Sequence, residues 1–250
     1  VVFQYLLSMN SRRDKNAWYE GPMLPLIMRR CGWNVIFYGN QFVVNNQLDE
    51  YDAAMGFLNV PSVAKALFDN RNNRTFSYDL DLVADYATHR KQLETKYRNF
   101  VIFHLYGQHM PAKERYPKEF AKFTPNNINR PELNKAQCND VAHYLNATLY
   151  NDLVVDSIIR MFENRNAVVM YLSDHGEEVH NFRNQYGRTD INKDCRESYA
   201  PQFDIPFMVY LTPSYAKEHP ELATRLEAAS HRRFSNDDTP QVICDILGVQ

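Results

Sequence analysis

Four short apolar runs, rich in β-branched and aromatic residues, are spaced along the chain and bounded by polar or turn residues. They lie at Asn34–Tyr38, Phe100–Leu105, Ala167–Leu172 and Pro206–Leu211. Their shortness and nearly continuous apolar character predict strands that are buried on both faces. Strands of this kind are typical of a mostly parallel sheet that helices cover on both sides.

The segments around these runs carry apolar residues at helical spacing. The helix candidates are Gly21–Cys31, Tyr78–Tyr97, Leu133–Asn164, Pro220–Ser230 and Thr239–Leu247, the last closed by Gly248. The longest candidate has an apolar stripe that recurs every three to five residues, namely Val141, Leu145, Leu149, Leu153, Ile158 and Phe162. This periodicity predicts that the stripe packs on the sheet.

The alternation of strands and helices predicts an α/β fold, with a mostly parallel central sheet flanked by helices on both faces. Residues 1–250 contain no internal repeat and no low-complexity linker, so we expect a single domain. The clearest loop is Asn70–Thr75 (NRNNRT). In open parallel sheets, ligands collect beyond the carboxyl ends of the strands. That rule directs attention to His104–His109 and to Ser173–His180.

Composition narrows the classes of function. Hydrophobic residues make up 44% and charged residues 23% of the chain, as in an ordinary globular protein. The formal net charge of -2 gives no global attraction to nucleic acid, and we expect no such partner. No stretch reaches the ~20 consecutive apolar residues that a membrane-spanning helix needs. The chain opens on VVFQYLLSMN without an initiator Met, and we expect it to be cut from a longer protein.

The four cysteines form no CxxC pair, which excludes a zinc ribbon and a thioredoxin-like motif. Cys31 and Cys244 lie among apolar residues and are predicted to be buried thiols. Cys138 and Cys195 lie in more polar stretches. They can be paired or free, because sequence alone does not fix disulfide connectivity.

The sharpest chemical feature is the segment YLSDHGEE at Tyr171–Glu178. Asp174 and His175 directly follow a predicted strand, and a carboxylate beside a neutral imidazole supplies two ligands for zinc. Gly176 lets the backbone turn sharply. An isolated Asp-His pair also fits an Asp N-cap beside a hydrogen-bonded His. Two ligands alone do not make a metal site, because a catalytic zinc usually takes three protein ligands.

A second chemical feature, FHLYGQHMP, starts within the run Phe100–Leu105. In it, His104 and His109 flank Gly107. Histidines at a strand end can bind a second metal, hydrogen-bond a phosphate or transfer protons. His104, which lies inside the apolar run, can equally be a core histidine.

Together these segments resemble the bacterial phosphoethanolamine transferases, membrane enzymes of the sulfatase and alkaline phosphatase superfamily. The family stretch H-x-x-G-S-H-x-P…R-Y-P…F…F-T-P is matched by His104, Gly107, His109, Pro111, Arg115, Tyr116, Pro117, Phe120, Phe123, Thr124 and Pro125. The family stretches Y-x-N-x…Y-x-D and Y-L-S-D-H-G-E are matched by Tyr144, Asn146, Tyr150, Asp152 and the segment Tyr171–Glu177. The similarity extends from Trp18 to Gly248.

The resemblance implies an alkaline phosphatase/sulfatase-like fold and a zinc-dependent phosphotransferase. In the family, zinc is held by an Asp-His pair, an upstream Glu and a Thr that serves as the nucleophile. Asp174 and His175 carry over as zinc ligands. His109 carries over as a phosphate-side or second-metal residue, with His104 as its weaker companion. The implied donor is phosphatidylethanolamine, and the implied acceptor is lipid A, lipopolysaccharide or another glycan.

The chain departs from the family pattern at two points. The nucleophilic Thr and the upstream Glu have no match, so we expect the nucleophile to lie outside this chain. Ser8 is too close to the helix Gly21–Cys31 to replace it. The family also places a later His after a Gly, whereas here Gly187 is followed by Arg188. Arg188 can contact phosphate as a fixed cation or be a solvated surface residue.

The resemblance thus implies an enzyme domain that faces the periplasm and is anchored in the bacterial inner membrane by helices preceding this chain. We expect the chain to fold alone but not to catalyse transfer. Two alternatives stay open: a sulfatase, phosphodiesterase or phosphoglycerol transferase of the same superfamily, and a non-catalytic domain that retains the fold. The matches at Arg115–Pro117 and Phe123–Pro125 go beyond the shared metal motif and favour the transferase.

Overall fold

The computed structural model describes residues 2–41, 56–182, 184–188 and 195–249. Its strands are β1 (Asn34–Gly39), β2 (Asn70–Arg71), β3 (Asn99–His104), β4 (Val168–Leu172), β5 (Glu178–Val179), β6 (Tyr186–Gly187) and β7 (Phe207–Leu211). Its α-helices are α1 (Val2–Leu6), α2 (Leu24–Arg30), α3 (Pro61–Leu67), α4 (Asp79–Leu93), α5 (Lys135–Phe162), α6 (Arg196–Phe203), α7 (Pro213–Glu218), α8 (Pro220–Ala229) and α9 (Thr239–Leu247). The chain forms two compact units.

The first unit comprises Val1–Ser77, Ala84–Leu105 and His219–Gln250. Its sheet has the order β2-β1-β3, and both neighbours run parallel to β1. All residues of β1 are buried, as expected for an apolar middle strand. Its core cluster consists of Leu7, Met23, Leu24, Met28, Val35, Phe37, Phe57, Leu58, Leu67, Phe68 and Cys244.

The second unit comprises Tyr78–Val83 and Tyr106–Glu218. Within it β4 pairs antiparallel with β7, and β5 pairs antiparallel with β6. The long helix α5 begins at an N-cap, Asn134, whose side chain accepts the N–H groups of Ala136 and Gln137. This unit contains the loops that follow β4 and the segment Tyr106–His109.

Every predicted strand and helix is present, and the α/β fold class is confirmed. The pairing of β1 with β3 is parallel, as predicted, whereas β4 and β7 pair antiparallel with each other. Burial on both faces holds for β1, while β3 and β4 are half-buried. Asn70–Arg71, predicted as loop, form β2 instead. The strand is held there because the Asn72 side chain both accepts from the N–H and donates to the carbonyl of Gly39, each at 2.8 Å.

The predicted stripe on α5 is wrong at Leu149, which is 38% exposed, and confirmed at Ile158, which is buried. The helix turns a different face inward, made of Gln137, Cys138, Ala142, Asn146, Ala147, Tyr150, Asn151, Val154 and Ile158. Polar members of this face, rather than the leucines, decide which way the helix is rotated.

Asn146 provides the physical reason for that rotation. Its side-chain oxygen accepts the N–H groups of Lys122 and Phe123, both at 2.8 Å, and its amide donates to the carbonyl of Phe123 at 2.9 Å. The Asn146 side chain is buried, and leaving a buried polar group without its hydrogen-bond partners costs about 1–3 kcal/mol. Partial exposure of one leucine is therefore a smaller loss than turning Asn146 away.

The cysteines follow the predictions in part. Cys244 is a buried thiol, as predicted, whereas Cys31 is exposed because the chain turns away from the core where α2 ends. Cys138 and Cys195 are free thiols. Within the described ranges, none of the helices combines the length and hydropathy that crossing a membrane would require.

We expect Asn146→Ala to lower the free energy of unfolding by about 1–3 kcal/mol, because the hydrogen bonds of a buried side chain to Lys122 and Phe123 are lost. Leu149→Ala should cost less than about 1 kcal/mol, because the side chain is already partly solvated. Urea denaturation of the two variants measures both values. A larger loss for Leu149→Ala than for Asn146→Ala would contradict the assigned inner face of α5.

Candidate metal and phosphate site

Asp174 and His175 lie just beyond the carboxyl end of β4, where the sequence predicted them. The turn after the strand is held by its own backbone. The hydroxyl of Ser173 donates to the carbonyl of His175 at 2.6 Å, and the N–H of Gly176 donates to the carbonyl of Gln202 at 2.9 Å. The two candidate ligands therefore project from a constrained turn.

One tautomer of the His175 ring fits its hydrogen-bond partner. Its Nδ1 lies 2.7 Å from the carbonyl oxygen of Gly176. A carbonyl can only accept, so Nδ1 carries the hydrogen and Nε2 presents its lone pair. In metal sites the same kind of bond to the second ring nitrogen orients the ligating histidine.

One ring nitrogen of His175 faces one carboxylate oxygen of Asp174. Nε2 of His175 and Oδ2 of Asp174 are 3.5 Å apart. Tetrahedral zinc binds nitrogen and oxygen at about 2.0–2.2 Å, which separates two ligand atoms by roughly 3.3–3.6 Å. The pair therefore fits two corners of a zinc site. Within the described residues, no group of three or more His, Cys, Asp or Glu side chains is placed so that it could hold a metal ion.

Gly176 is required by close contact rather than by its backbone angles. A Cβ atom at this position would lie 2.2 Å from the carbonyl oxygen of Pro201, at the end of α6. A side chain here would push the turn away from that helix. The small residue thus lets the turn that carries Asp174 and His175 pack directly on the backbone of α6.

His109 lies in the segment Tyr106–His109, which we call the histidine loop. Its N–H donates to the carbonyl of Tyr106 at 3.0 Å, which closes a turn. Gly107 has a φ of 56°, a conformation that favours glycine. The Nδ1 of His109 lies 2.9 Å from the carbonyl of Met110 and must donate to it, so Nε2 is free on an exposed ring.

Glu177, in the turn after β4, lies close to Gly187. A Cβ atom on Gly187 would lie 3.7 Å from Oε1 of Glu177. The same Cβ atom would lie 2.9 Å from Cε of Met110. Burial raises the pKa of Glu177, and the nearby charges of His175, Arg188 and His109 oppose that rise. Three cationic or titratable groups from three loops therefore act on one half-buried carboxyl.

The charges of four of the predicted residues, Asp174, His175, His109 and Arg188, act on the Glu177 carboxyl. Arg188 is exposed. His104 belongs to the first unit, where it ends β3 and its ring lies 6.0 Å from that of Phe37. A phosphate contact for His104 stays a prediction.

Glu177 was not among the site residues predicted from sequence. It adjoins Asp174–Gly176 in the chain, and that adjacency was the available signal. Its central place depends on Gly187 and Met110, which are distant in sequence. A local motif therefore could not reveal it.

The chain is similar to known proteins along most of its length. Residues 3–249 match the family model described as Sulfatase. Phosphoethanolamine transferase EptC of Escherichia coli K12 is 28% identical over 229 residues, which cover 88% of this chain and 37% of the relative. EptA of Helicobacter pylori is 28% identical over 222 residues, which cover 84% and 38%. The chain thus spans well under half the length of these relatives.

Solved structures share the fold. The crystal structure of the C-terminal periplasmic domain of EptC from Escherichia coli aligns with a TM-score of 0.78 and 25% identity, covering 99% of this chain and 67% of that one. The same domain in complex with Zn gives a TM-score of 0.78 and 24% identity, with the same coverage. The integral membrane lipooligosaccharide phosphoethanolamine transferase A from Neisseria meningitidis gives 0.67 and 23%, covering 97% and 44%.

The resemblance inferred from the motifs is confirmed, since phosphoethanolamine transferases are homologues of this chain. The alkaline phosphatase/sulfatase-like fold is confirmed as well. With the match extending over nearly every residue, the chain belongs to the sulfatase family.

Proposed function

We propose that this chain is the catalytic domain of a zinc-dependent transferase that moves phosphoethanolamine from phosphatidylethanolamine to lipid A or another lipopolysaccharide glycan. The observation that carries the proposal is the 3.5 Å separation of Asp174 Oδ2 and His175 Nε2 at the end of β4. The homologues named as phosphoethanolamine transferases support the reaction class, and one of them is named for Kdo(2)-lipid A.

The proposed location follows from the same relatives. The Escherichia coli homologue was crystallised as a periplasmic domain, and the Neisseria meningitidis homologue is an integral membrane protein. We therefore place this domain on the periplasmic side of a bacterial inner membrane. The complete protein would carry the membrane anchor.

Zinc is the metal that we propose for the Asp174–His175 pair, in keeping with the Zn complex of the homologous domain. The chemistry that a bound zinc supplies is neutralisation of charge on the phosphoryl oxygens and a lowered pKa of a coordinated hydroxyl. Asp174 and His175 would hold the ion from one side, with Nε2 of His175 kept available by the bond from Nδ1 to Gly176.

The other residues of the site serve the transferred group. The Nε2 of His109 can donate a proton to a phosphate oxygen or accept a proton from it. Arg188 supplies a permanent cation beside it. Glu177 is the carboxyl on which the charges of both residues act. These roles separate metal binding at Asp174 and His175 from phosphate binding at His109 and Arg188.

We expect Asp174→Asn and His175→Ala to lower phosphoethanolamine transfer by the complete protein more than about 100-fold. Changes that only support metal ligands already cost 10–100-fold. The assay follows labelled diacylglycerol released from fluorescent phosphatidylethanolamine in the presence of zinc. Asp156→Asn and His89→Ala are the matched controls, since both side chains are exposed elsewhere on helices. Full activity of either site variant would refute the metal assignment.

We expect the 250-residue chain alone to release no labelled diacylglycerol above the background without protein. Covalent transfer needs an activated nucleophile. The hydroxyl of Ser173 donates a hydrogen bond to the carbonyl of His175. The hydroxyl of Ser8, which is fully buried, donates to the carbonyl of Trp18 at 2.7 Å. Turnover at the rate of the complete protein would contradict a nucleophile outside the chain, and Ser8→Ala would then be the next variant.

A further inference from the structure

Asp79, the first residue of α4, is a buried carboxylate that the proposed chemistry does not use. It is 4% exposed, and its two oxygens accept the N–H groups of Tyr106 at 3.0 Å and Gly107 at 2.9 Å. Hydrogen bonds to a charged acceptor are stronger than those between neutral groups. Asp79 therefore holds the first half of the histidine loop, Tyr106 and Gly107, by two hydrogen bonds.

The start of α4 is itself anchored. The N–H of Leu80 donates to the Tyr150 hydroxyl at 3.3 Å, and Tyr150 belongs to the buried face of α5. Burial raises the pKa of Tyr150 to about 12, so the hydroxyl stays neutral at physiological pH. Asp79 thus transmits the fixed position of α5 to the histidine loop.

Arg115 holds the second half of the same loop. Its Nε–H donates to the carbonyl of His109 at 2.9 Å, and its guanidinium carbon lies 4.2 Å from the centroid of the Tyr106 ring. The side chain is only 12% exposed and also contacts the carboxylate of Glu114 at 3.4 Å. Stacking on an aromatic face with a donated bond is geometry that lysine does not reproduce.

The loop needs these outside contacts because its own structure is sparse. One backbone bond, from His109 to Tyr106, closes it, and Gly107 at its centre has the greatest backbone freedom of any residue type. The His109 ring is exposed, and its Nδ1 donates to the adjacent backbone carbonyl of Met110, so the ring position follows the backbone of this segment. Without these contacts the loop would sample many conformations, and the imidazole would have no defined position.

We propose that Asp79 and Arg115 are positioning residues, which hold the histidine loop from its two ends and thereby fix the ring of His109 at the phosphate side of the site. This inference rests on the proposed role of His109 in phosphoethanolamine transfer. Neither residue touches the reacting atoms, and both act through the backbone of the loop.

Hydrogen–deuterium exchange of the complete protein tests the positioning without reference to activity. Asp79→Asn should accelerate exchange of the Tyr106 and Gly107 amides at least about tenfold, because one N–H then faces an amide N–H₂ instead of an oxygen. Exchange in β4 should not change. Asp81→Asn is the matched control, because Asp81 is an exposed carboxylate in the same helical turn. Unchanged amides in Asp79→Asn, or equal acceleration by Asp81→Asn, would overturn the proposal.

A double-mutant cycle in the transfer assay separates positioning from loss of stability. Asp79→Asn should lower kcat by roughly tenfold or more with little change in KM, since misplacing a reacting group by about 1 Å can cost 100-fold. In a His109→Ala background the same substitution should have less than about a twofold effect. An equal loss in both backgrounds would reduce Asp79 to a structural role. If the complete wild-type protein transfers nothing, the proposed function fails while the exchange result still decides the positioning.

Arg115→Lys tests the proposal from the other end and replaces Asp79→Asn if that variant does not fold. It should accelerate exchange of the His109 amide and lower kcat, again with little further effect once His109 is absent. Arg160→Lys, at an exposed arginine paired with Asp156, is the control. Wild-type exchange and kcat in Arg115→Lys would overturn the proposal.

Discussion

Buried acceptor side chains that each receive two neighbouring backbone N–H groups hold loops of the second unit. Asp79, Asn146 and Glu178 all do this, and each is almost completely buried. Their N–H partners are Tyr106–Gly107, Lys122–Phe123 and Asn181–Phe182, respectively. Irregular backbone cannot satisfy its own polar groups, and an unmet buried N–H is costly. The second unit meets this constraint with fixed carboxylates and amides, and its loops acquire defined positions as a result.

The orientation of His175 is governed by the same constraint. The bond from its Nδ1 to the Gly176 carbonyl determines which ring nitrogen remains available, and the bond from the Gly176 N–H to Gln202 holds the turn on α6. A side chain at Gly176 would break that contact through collision with Pro201. Contacts within the fold therefore hold the turn that sets the 3.5 Å separation of Asp174 and His175.

Local patterns predicted the strands, the helices and the place of Asp174 and His175, because apolar periodicity and strand ends are properties of neighbouring residues. They did not predict the inner face of α5, where the bonds of Asn146 to residues more than twenty positions away outweigh the leucine stripe. Nor did they predict the antiparallel pairing of β4 with β7 or the grip of Asp79 on the histidine loop. In each case the decisive partner is far away in sequence, so the pattern around the residue carries no trace of it.

Diffraction from a crystal of the chain grown with zinc, recorded on both sides of the zinc absorption edge, tests the central claim most directly. The account predicts an anomalous peak bonded to Asp174 Oδ2 and His175 Nε2, at about 2.0–2.2 Å from each. Nδ1 of His175 should still donate to the carbonyl of Gly176. A peak bonded to Nδ1 instead, or zinc bound elsewhere with none between Asp174 and His175, would contradict it.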